Sequence, residues 1–350
     1  MKHKSLKIIP IIIIGILTIL LLFSQVFFLS SVNSSTQLSI TYDIVGSPIE
    51  INDLDPQHSW SKTRDDFPWC TGAGTSSNPY VIQNLYMDGQ GSVECLSISN
   101  SEVFFLIINC EFKNAGGDFG IGITLFNVKN GNVYNNFIHD NDWIGLHCMN
   151  SEKLNIEQNT IRRQIYGIVV EQSNIVELLD NTIGDHSREG IGVVGSSNCL
   201  ISQNDISSSS INGIYMDYTD DSTVSHNSIS GSEDGLRFSH SSNNEITNNV
   251  ISDSSQYGII AFYESNYNSI TDNILTNNLY CIGIGESCVG NIIERNGICQ
   301  LYIVHDTSDP PPPDNPDTPP PSDLDLGMLG LWLTLFLVIG VLAYIKMRKS

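Results

Sequence analysis

Residues 213–235 read GIYMDYTDDSTVSHNSISGSEDG, and this stretch decides the fold because its pattern recurs along the chain. It opens on a glycine followed by apolar residues that alternate with polar ones. A Gly followed by Ile or Leu recurs every 22 or 23 residues, at Gly122, Gly145, Gly167, Gly190, Gly213, Gly235 and Gly258. A fixed period of this length predicts a solenoid, in which each repeat contacts only its neighbours.

A second marker shares this period. An Asn followed two residues later by Ile or Leu recurs at Asn136, Asn159, Asn181, Asn204, Asn227, Asn249, Asn273 and Asn296. We interpret these asparagines as a structural ladder inside a turn, because Asn tolerates left-handed backbone angles and its amide can bond to the Asn one coil away.

The pattern within each repeat identifies the type of solenoid. Apolar positions alternate with polar ones, which indicates strands, and no window has helical spacing. Leucine-rich repeats are excluded because Leu-x-x-Leu-x-Leu does not recur. We therefore predict an all-β, right-handed parallel β-helix of about ten coils, 22–24 residues each, with a coil spacing of about 4.8 Å. One predicted inner column is formed by Ile138, Ile161, Ile183, Ile206, Ile229, Ile251, Leu275 and Ile298.

The charge distribution excludes some partners. The chain has 38 acidic and 16 basic residues, and six of the basic residues lie at its two ends. The stretch between them therefore carries 10 − 38 = −28. Nucleic acids and anionic membrane surfaces require clustered Lys and Arg, so neither is expected as a partner of this stretch.

The two chain ends resemble targeting or anchoring segments. Residues 1–32 are mostly apolar after a basic start, which predicts a signal peptide or a signal anchor. Residues 324–345 are long and apolar enough to be a transmembrane helix, and residues 346–350 form a basic tail. Cations beside a span favour the cytoplasmic side, so we expect a cell-membrane protein with an extracellular ectodomain and a cytoplasmic C-terminus.

Three further segments lie between these ends. Residues 33–80 are predicted to form the N-terminal cap and the entry to the first coil, and residues 81–305 the repeat domain. Residues 306–323 are a proline-rich linker, which is expected to be extended and to hold the domain off the membrane.

The first coils resemble a known family. Trp69–Thr75, Asn78–Ile82, Met87–Gly89, Cys95–Ile98 and Phe105–Phe112 are similar to the opening of archaeal NosD-like right-handed β-helix surface proteins. The resemblance covers about residues 45–304. It implies the β-helix fold and a group that includes a periplasmic protein serving copper-enzyme maturation and carbohydrate-binding or sugar-cleaving β-helices. Fold analogy does not carry a reaction across.

Two groups of polar residues are candidate sites. Outward positions after the repeat glycines give the catalytic candidates His147, Glu171, Tyr215, Asp217 and Arg237. An Arg over a Tyr beside a carboxylate can bind a sugar or a uronate, although Gly192 and Val194 interrupt this face. The turn that closes coils two to four gives the ligand-binding candidates His139, Asp140, Asp142, Arg163, Asp185 and His186. There we expect Asp140, Arg163 and Asp185 to stack, as a ligand site or as a solvated ion ladder.

Metal binding and disulfides have weaker sequence signals. Asp217, Asp220, Asp221, Glu233 and Asp234 are candidate Ca²⁺ ligands, the alternative being a solvated acidic loop, and no other cofactor is expected. No Met-x-x-Met or Cys-x-x-Cys favours copper. Cys70 and Cys95 lie about one coil apart, as a disulfide requires, and Cys281, Cys288 and Cys299 can supply another. Cys148 is expected in the core.

Two functions follow from these features. The favoured hypothesis is a membrane-anchored surface module that binds extracellular glycan or an envelope protein, or has a structural role. The alternative is a polysaccharide lyase, epimerase or hydrolase, or a NosD-like metal-processing protein. The interrupted face and the lack of a second carboxylate adjacent to Asp217 favour the non-catalytic hypothesis.

Overall fold

The computed structural model describes residues 42–117 and 119–305. It confirms a right-handed parallel β-helix of about ten turns, in which each coil contributes one strand to each of three sheets. Each sheet grows by adding the corresponding strand of the next coil, so the sequence period becomes the strand-to-strand spacing.

The sheets are named A, B and C. Sheet A contains Tyr42–Val45, Leu85–Asp88, Glu111–Lys113, Phe137–His139, Thr160–Arg162, Thr182–His186, Asp205–Ser209, Ser228–Ser230, Val250–Ser252 and Ile274–Thr276. Sheet B contains Ile49–Asn52, Glu94–Ser101, Ile121–Val128, Ile144–Met149, Tyr166–Glu171, Ile191–Val194, Asn212–Asp217, Asp234–Ser239, Tyr257–Phe262, Tyr280–Gly285 and Leu301–Val304. Sheet C contains Cys70–Thr71, Tyr80–Gln83, Phe105–Ile108, Gly131–Tyr134, Glu152–Glu157, Asn174–Leu179, Leu200–Ser202, Thr223–Ser225, Glu245–Thr247, Ser269–Thr271 and Ile292–Glu294.

One short helix, Trp60–Asp66, precedes the regular coils. Its N-terminus is capped by the Ser59 hydroxyl, which accepts from the backbone N–H of Lys62. Trp60 is buried and stacks on Tyr80 and Phe105, with ring centroids 5.2 Å and 5.4 Å away. The helix is thereby fixed against the first coils by aromatic packing.

The interior is a stack of aliphatic side chains. Ile214 and Met216 of one sheet B strand are fully buried, as are their counterparts in the neighbouring coils. Cys148 is buried in the core, as predicted. Ile298 is an error of the predicted inner column, because it is fully exposed. Sheet A ends one coil earlier at Ile274–Thr276, and Gly297, with a φ of +74°, bends the chain between the ladder and Cys299.

The repeat glycines are required by close packing between coils. A Cβ on Gly145 would lie 2.6 Å from Cγ2 of Ile161 and 2.7 Å from the carbonyl oxygen of Gly167. Both distances are far shorter than a carbon contact allows. The glycine column therefore marks where one coil turns into sheet B against the inner isoleucines of sheet A.

The asparagine ladder is confirmed as an internal structural feature. Oδ1 of Asn204 accepts from the backbone N–H and from Nδ2 of Asn181, both at 3.0 Å, and the same pair of bonds recurs along the column. The left-handed backbone lies elsewhere than predicted. It belongs to the residue before each ladder asparagine, namely Asn135, Gln158, Asp180, Gln203, His226, Asn248, Asp272 and Arg295.

The disulfide prediction is corrected in part. Cys281 bonds to Cys299, with Cα atoms 5.6 Å apart, and Cys288 is not part of that bond. Cys70 and Cys95 are not joined. Both lie in the apolar core, Cys70 on sheet C and Cys95 on sheet B, so the one-coil separation does not place them in one column.

The predicted signal or anchor segment, linker, transmembrane helix and basic tail lie outside the described residues. Within residues 42–117 and 119–305, no helix has the length and apolar character needed to cross a membrane.

Candidate functional site

The outer face of sheet B has the predicted register. Tyr215 pairs directly with Arg237 on the next coil. Glu171, Val194 and Asp217 occupy one column over three successive coils. Because neighbouring strands are about 4.8 Å apart, Glu171 and Asp217 are separated by roughly 10 Å along the column.

His147 and Glu171 do not belong to an accessible site. Both point away from the coil interior as predicted, but only 1% and 2% of their surfaces are exposed. Nε2 of His147 lies 3.1 Å from Oε2 of Glu171. The reason is an apolar cluster on this outer face, formed by Ile121, Ile144, Tyr166 and Val169. These two candidates form a buried polar pair in apolar surroundings, away from the Arg237 region.

Arg237 and Asp217 have partners that the sequence did not predict. Oδ1 of Asp217 lies 3.0 Å from Nδ1 of His240. The Arg237 guanidinium lies 3.7 Å from Oδ2 of Asp234 and 5.0 Å from the ring centre of Phe262. Arg237 is therefore positioned by an acid and an aromatic ring, an arrangement that holds its planar group in one orientation.

These groups line a small pocket on the outer face of sheet B, with a cavity volume of about 90 Å³. Its described lining residues are Asp234, Arg237, Gln256, Tyr257, Ile260, Phe262 and Val304. We call this the Arg237 pocket. Burial raises the pKa of the Asp234 carboxyl to about 6, although its Oδ1 accepts the backbone N–H of Tyr257 at 3.0 Å.

Sequence reasoning missed most of this pocket. Asp234 was predicted only as a metal ligand, and Gln256 and Tyr257 were not singled out. Asp234 and Tyr257 each directly precede a repeat glycine, and the structure places that position at the start of a sheet B strand. The signal was present in the period, because Asn212 pairs with Asp234 and Tyr257 with Tyr280.

The second predicted cluster, on the outer face of sheet A, forms in part. Nε and Nη2 of Arg163 donate to the two oxygens of Asp140 at 2.6 Å and 2.8 Å. The guanidinium holds the pKa of the Asp140 carboxyl well below its usual range. Nδ1 of His139 also contacts Asp140, and its Nε2 lies 3.1 Å from Oε1 of Glu111, a residue not predicted. His139 itself is buried.

The other members of that cluster are placed differently. Asp185 has its ion-pair contact with Arg162, at 3.7 Å, so the expected stack on Arg163 is incorrect. Asp142 is exposed. His186 is buried inside the turn, where its Nδ1 accepts the backbone N–H of Gln164 at 3.4 Å. Desolvation lowers the pKa of His186 to about 4, so it is a neutral structural residue rather than part of a surface site.

The predicted Ca²⁺ ligands are dispersed. Asp220 accepts the backbone N–H of Ser242 at 2.6 Å, and Glu233 accepts from Gln256 at 2.7 Å. Asp221 is exposed with a φ of 53°, while Asp234 lines the Arg237 pocket. In the part of the chain that the structure describes, no three His, Cys, Asp or Glu side chains are grouped to hold a metal ion.

The stacked coils and the outward-facing polar residues define the class of protein: a parallel β-helix with its candidate site on the outer face of a sheet. A family model described as periplasmic copper-binding protein (NosD) matches residues 96–292, more than half of the chain. The chain belongs to the NosD family. No curated protein matches this sequence.

Solved structures share the fold at low sequence identity. The Dettilon tailspike protein is 12% identical, with 76% of this chain and 60% of that chain covered and a TM-score of 0.53. Tailspike protein 2 from an Escherichia coli O157:H7 bacteriophage is 11% identical, with 70% and 38% covered and a TM-score of 0.50. The periplasmic alginate epimerase AlgG is 15% identical, with 64% and 59% covered and a TM-score of 0.47. This chain thus spans less than two thirds of each structure.

The family description raises the question of copper, and the described residues do not fit it. Copper sites use clustered His, Cys or Met, with cysteine as the thiolate. Burial raises the thiol pKa of Cys70, Cys95 and Cys110 to about 12 and that of Cys199 to about 11. These cysteines are therefore protonated core residues, and residues 42–117 and 119–305 contain no grouped ligand set.

Proposed function

We propose that this protein is a surface β-helix that binds a polysaccharide through the Arg237 pocket and the adjoining outer face of sheet B. The observation that carries the proposal is the arrangement of Arg237 over Phe262 and beside Asp234, in a pocket that Gln256 and Tyr257 also line. Sugar recognition uses this combination of a planar donor, carboxyl and amide hydrogen-bonding groups, and aromatic rings that pack on C–H surfaces.

Charge narrows the class of polysaccharide. The stretch between the basic ends carries −28, which repels a continuous polyanion over long distances. Arg237 lies close to Asp234, so its charge is partly compensated. We therefore propose a neutral polysaccharide, or one with isolated carboxylates, as the ligand of the pocket.

The location of the protein is part of the same proposal. An apolar N-terminal segment, a proline-rich linker and a second apolar segment followed by cations support an ectodomain held outside the cell membrane. There the rod meets extracellular glycan and other envelope components. Cysteines joined as Cys281–Cys299 agree with an oxidising compartment.

A glycan array tests the function. The full chain is applied to immobilised neutral and uronic-acid oligosaccharides, with and without Ca²⁺. We expect binding to a neutral or sparsely charged group of glycans. Binding in both conditions assigns recognition to protein side chains, whereas a strict Ca²⁺ requirement assigns it to a cation site outside the pocket. No binding to any glycan would refute the proposal.

Polysaccharide cleavage is a second candidate because two buried carboxyls share an outer column of sheet B. Burial raises the pKa of Glu189 and of Asp234, and Asn212 lies between them. Two coil spacings correspond to roughly 10 Å, close to the carboxyl separation of inverting glycosidases. Release of reducing ends from a bound polysaccharide, abolished by Asp234→Asn, would establish this activity. Unchanged release in that variant would exclude the pair.

A further inference from the structure

A column of left-handed residues follows the strands of sheet B. Its members occupy the same corner on six successive coils and have φ between 47° and 60°: Asn150, Gln172, Gly195, Tyr218, His240 and Tyr263. Left-handed angles are routine for Gly and Asn but uncommon for bulky aromatic residues. Three consecutive aromatic residues at this corner are therefore unusual, and such strain concentrates where a site is formed.

The three aromatic rings form a stack. Tyr218 and His240 lie 4.3 Å apart between ring centres with an angle of 2° between their planes, and His240 and Tyr263 lie 5.3 Å apart at 14°. The contact between Asp217 and Nδ1 of His240 fixes the central ring. Tyr263 also packs against Phe262, with ring centres 5.7 Å apart, so the stack continues into the Arg237 pocket.

The stack stops where Gly195 replaces an aromatic residue. One face of Tyr218 packs on His240, and the opposite face is directed towards the coil of Gly195, which has no side chain. Tyr218 is 59% exposed. A Cβ built on Gly195 would have Cγ of Gln172 at 3.7 Å as its nearest neighbour, an ordinary contact. The missing ring therefore leaves a slot between Gln172 and Tyr218, in which the next position of the stack is empty.

We propose that this slot binds a pyranose ring, whose C–H face stacks on Tyr218 in the position that a side chain at Gly195 would otherwise occupy. Coil spacing sets the position of the sugar at about 4.8 Å along the rod, close to the 4.3 Å between Tyr218 and His240. This subsite rests on the proposed glycan function and adds a second contact point to the Arg237 pocket.

Filling the slot is the test. Gly195→Tyr places the protein's own ring in it, at a backbone angle that Tyr218 already adopts on the next coil. The matched control is Gly231→Tyr, because Gly231 has a φ of +71° and its nearest neighbour would be Ser208 N at 3.7 Å. The full chain and both variants are titrated calorimetrically with cellohexaose, chitohexaose and maltohexaose. We expect Gly195→Tyr to weaken binding about fivefold to tenfold, and Gly231→Tyr to leave it unchanged.

A second pair of variants covers the case in which Gly195→Tyr fails to fold. Tyr218→Asn removes the ring but tolerates left-handed angles, and Tyr267→Asn is its control, since Tyr267 is 64% exposed with a φ of 57°. The expected loss belongs to Tyr218→Asn alone. Unchanged affinity in both slot variants would overturn this inference but leave the proposed function standing. If none of the three hexasaccharides binds the unmodified chain, the subsite and the proposed function both fall.

Discussion

Oδ1 of Asn249 accepts two hydrogen bonds from Asn227 on the preceding coil, one from the backbone N–H at 3.0 Å and one from Nδ2 at 2.9 Å. Nδ2 of Asn249 donates to the carbonyl of Val224 at 2.8 Å and to Asn273 at 3.0 Å. One buried amide thus joins three coils at a turn that has no room for water.

Removal of that amide is expected to destabilise the rod strongly. Asn249→Ala leaves a buried backbone N–H and a buried carbonyl without partners, which costs on the order of 3 kcal/mol of unfolding free energy. Asn248→Ala is the matched control, because Asn248 is exposed and donates only to Thr247 among the described residues. Chemical denaturation measures both. Equal effects of the two substitutions would contradict a structural role for the ladder.

His186 is expected to make the fold sensitive to acid. Its pKa is about 4 in the folded protein against an ordinary 6.5, so between these values the unfolded chain binds a proton that the folded chain does not. Stability is fully present above pH 6.5 and falls, by up to about 3 kcal/mol, as the pH drops to 4. His186→Gln, which copies the preceding coil's Gln164, should remove this slope. Parallel pH curves for the variant and the unmodified protein would show that His186 is not its source.

Asp234 is expected to have the opposite pH dependence. Its pKa of about 6 exceeds the ordinary 3.8, so between these values the folded chain keeps a proton that the unfolded chain releases. This contribution to stability is present below pH 3.8 and is lost, by up to about 3 kcal/mol, as the pH rises to 6. Asp234→Asn should flatten the curve on this interval and stabilise the protein at pH 7. Destabilisation at pH 7 would show that the carboxylate is well compensated by Arg237.

The Cys281–Cys299 disulfide is expected to stabilise mainly the last coils. It closes a loop with a sequence separation of 18 residues and joins Tyr280–Gly285 to the segment before Leu301–Val304. Reduction should speed hydrogen exchange in these two strands and leave Asn212–Asp217 protected, because solenoid coils contact only their neighbours. A double Cys281→Ser, Cys299→Ser variant controls for the reductant. Uniform loss of protection along the rod would contradict this local role.

The parts of the fold that repeat could be predicted from the sequence. The glycine column, the Asn204 ladder and the pairing of Tyr215 with Arg237 all follow from one period, because a fixed residue count per coil places equivalent positions side by side. The aromatic stack from Tyr218 to Tyr263 has the same period and was overlooked because it lies at a corner rather than on a strand.

The parts that depend on side-chain choice could not be predicted. The period places Asp185 beside Arg163, but two adjacent arginines compete for it and Arg162 makes the contact. His147 was assigned to the surface by its outward direction, and neighbouring apolar side chains bury it. Position on a coil therefore fixes direction, while burial and pairing depend on neighbours from several coils.

The central claim is that a glycan binds at the Arg237 pocket, and binding by Arg237→Ala on the glycan array tests it most directly. Arg295→Ala is the control, since Arg295 is an exposed arginine that pairs with Asp272 at 2.7 Å on another part of the rod. We expect Arg237→Ala to lose at least tenfold in affinity for every glycan that the unmodified chain binds, and Arg295→Ala to lose none. Equal binding by both variants would contradict the account.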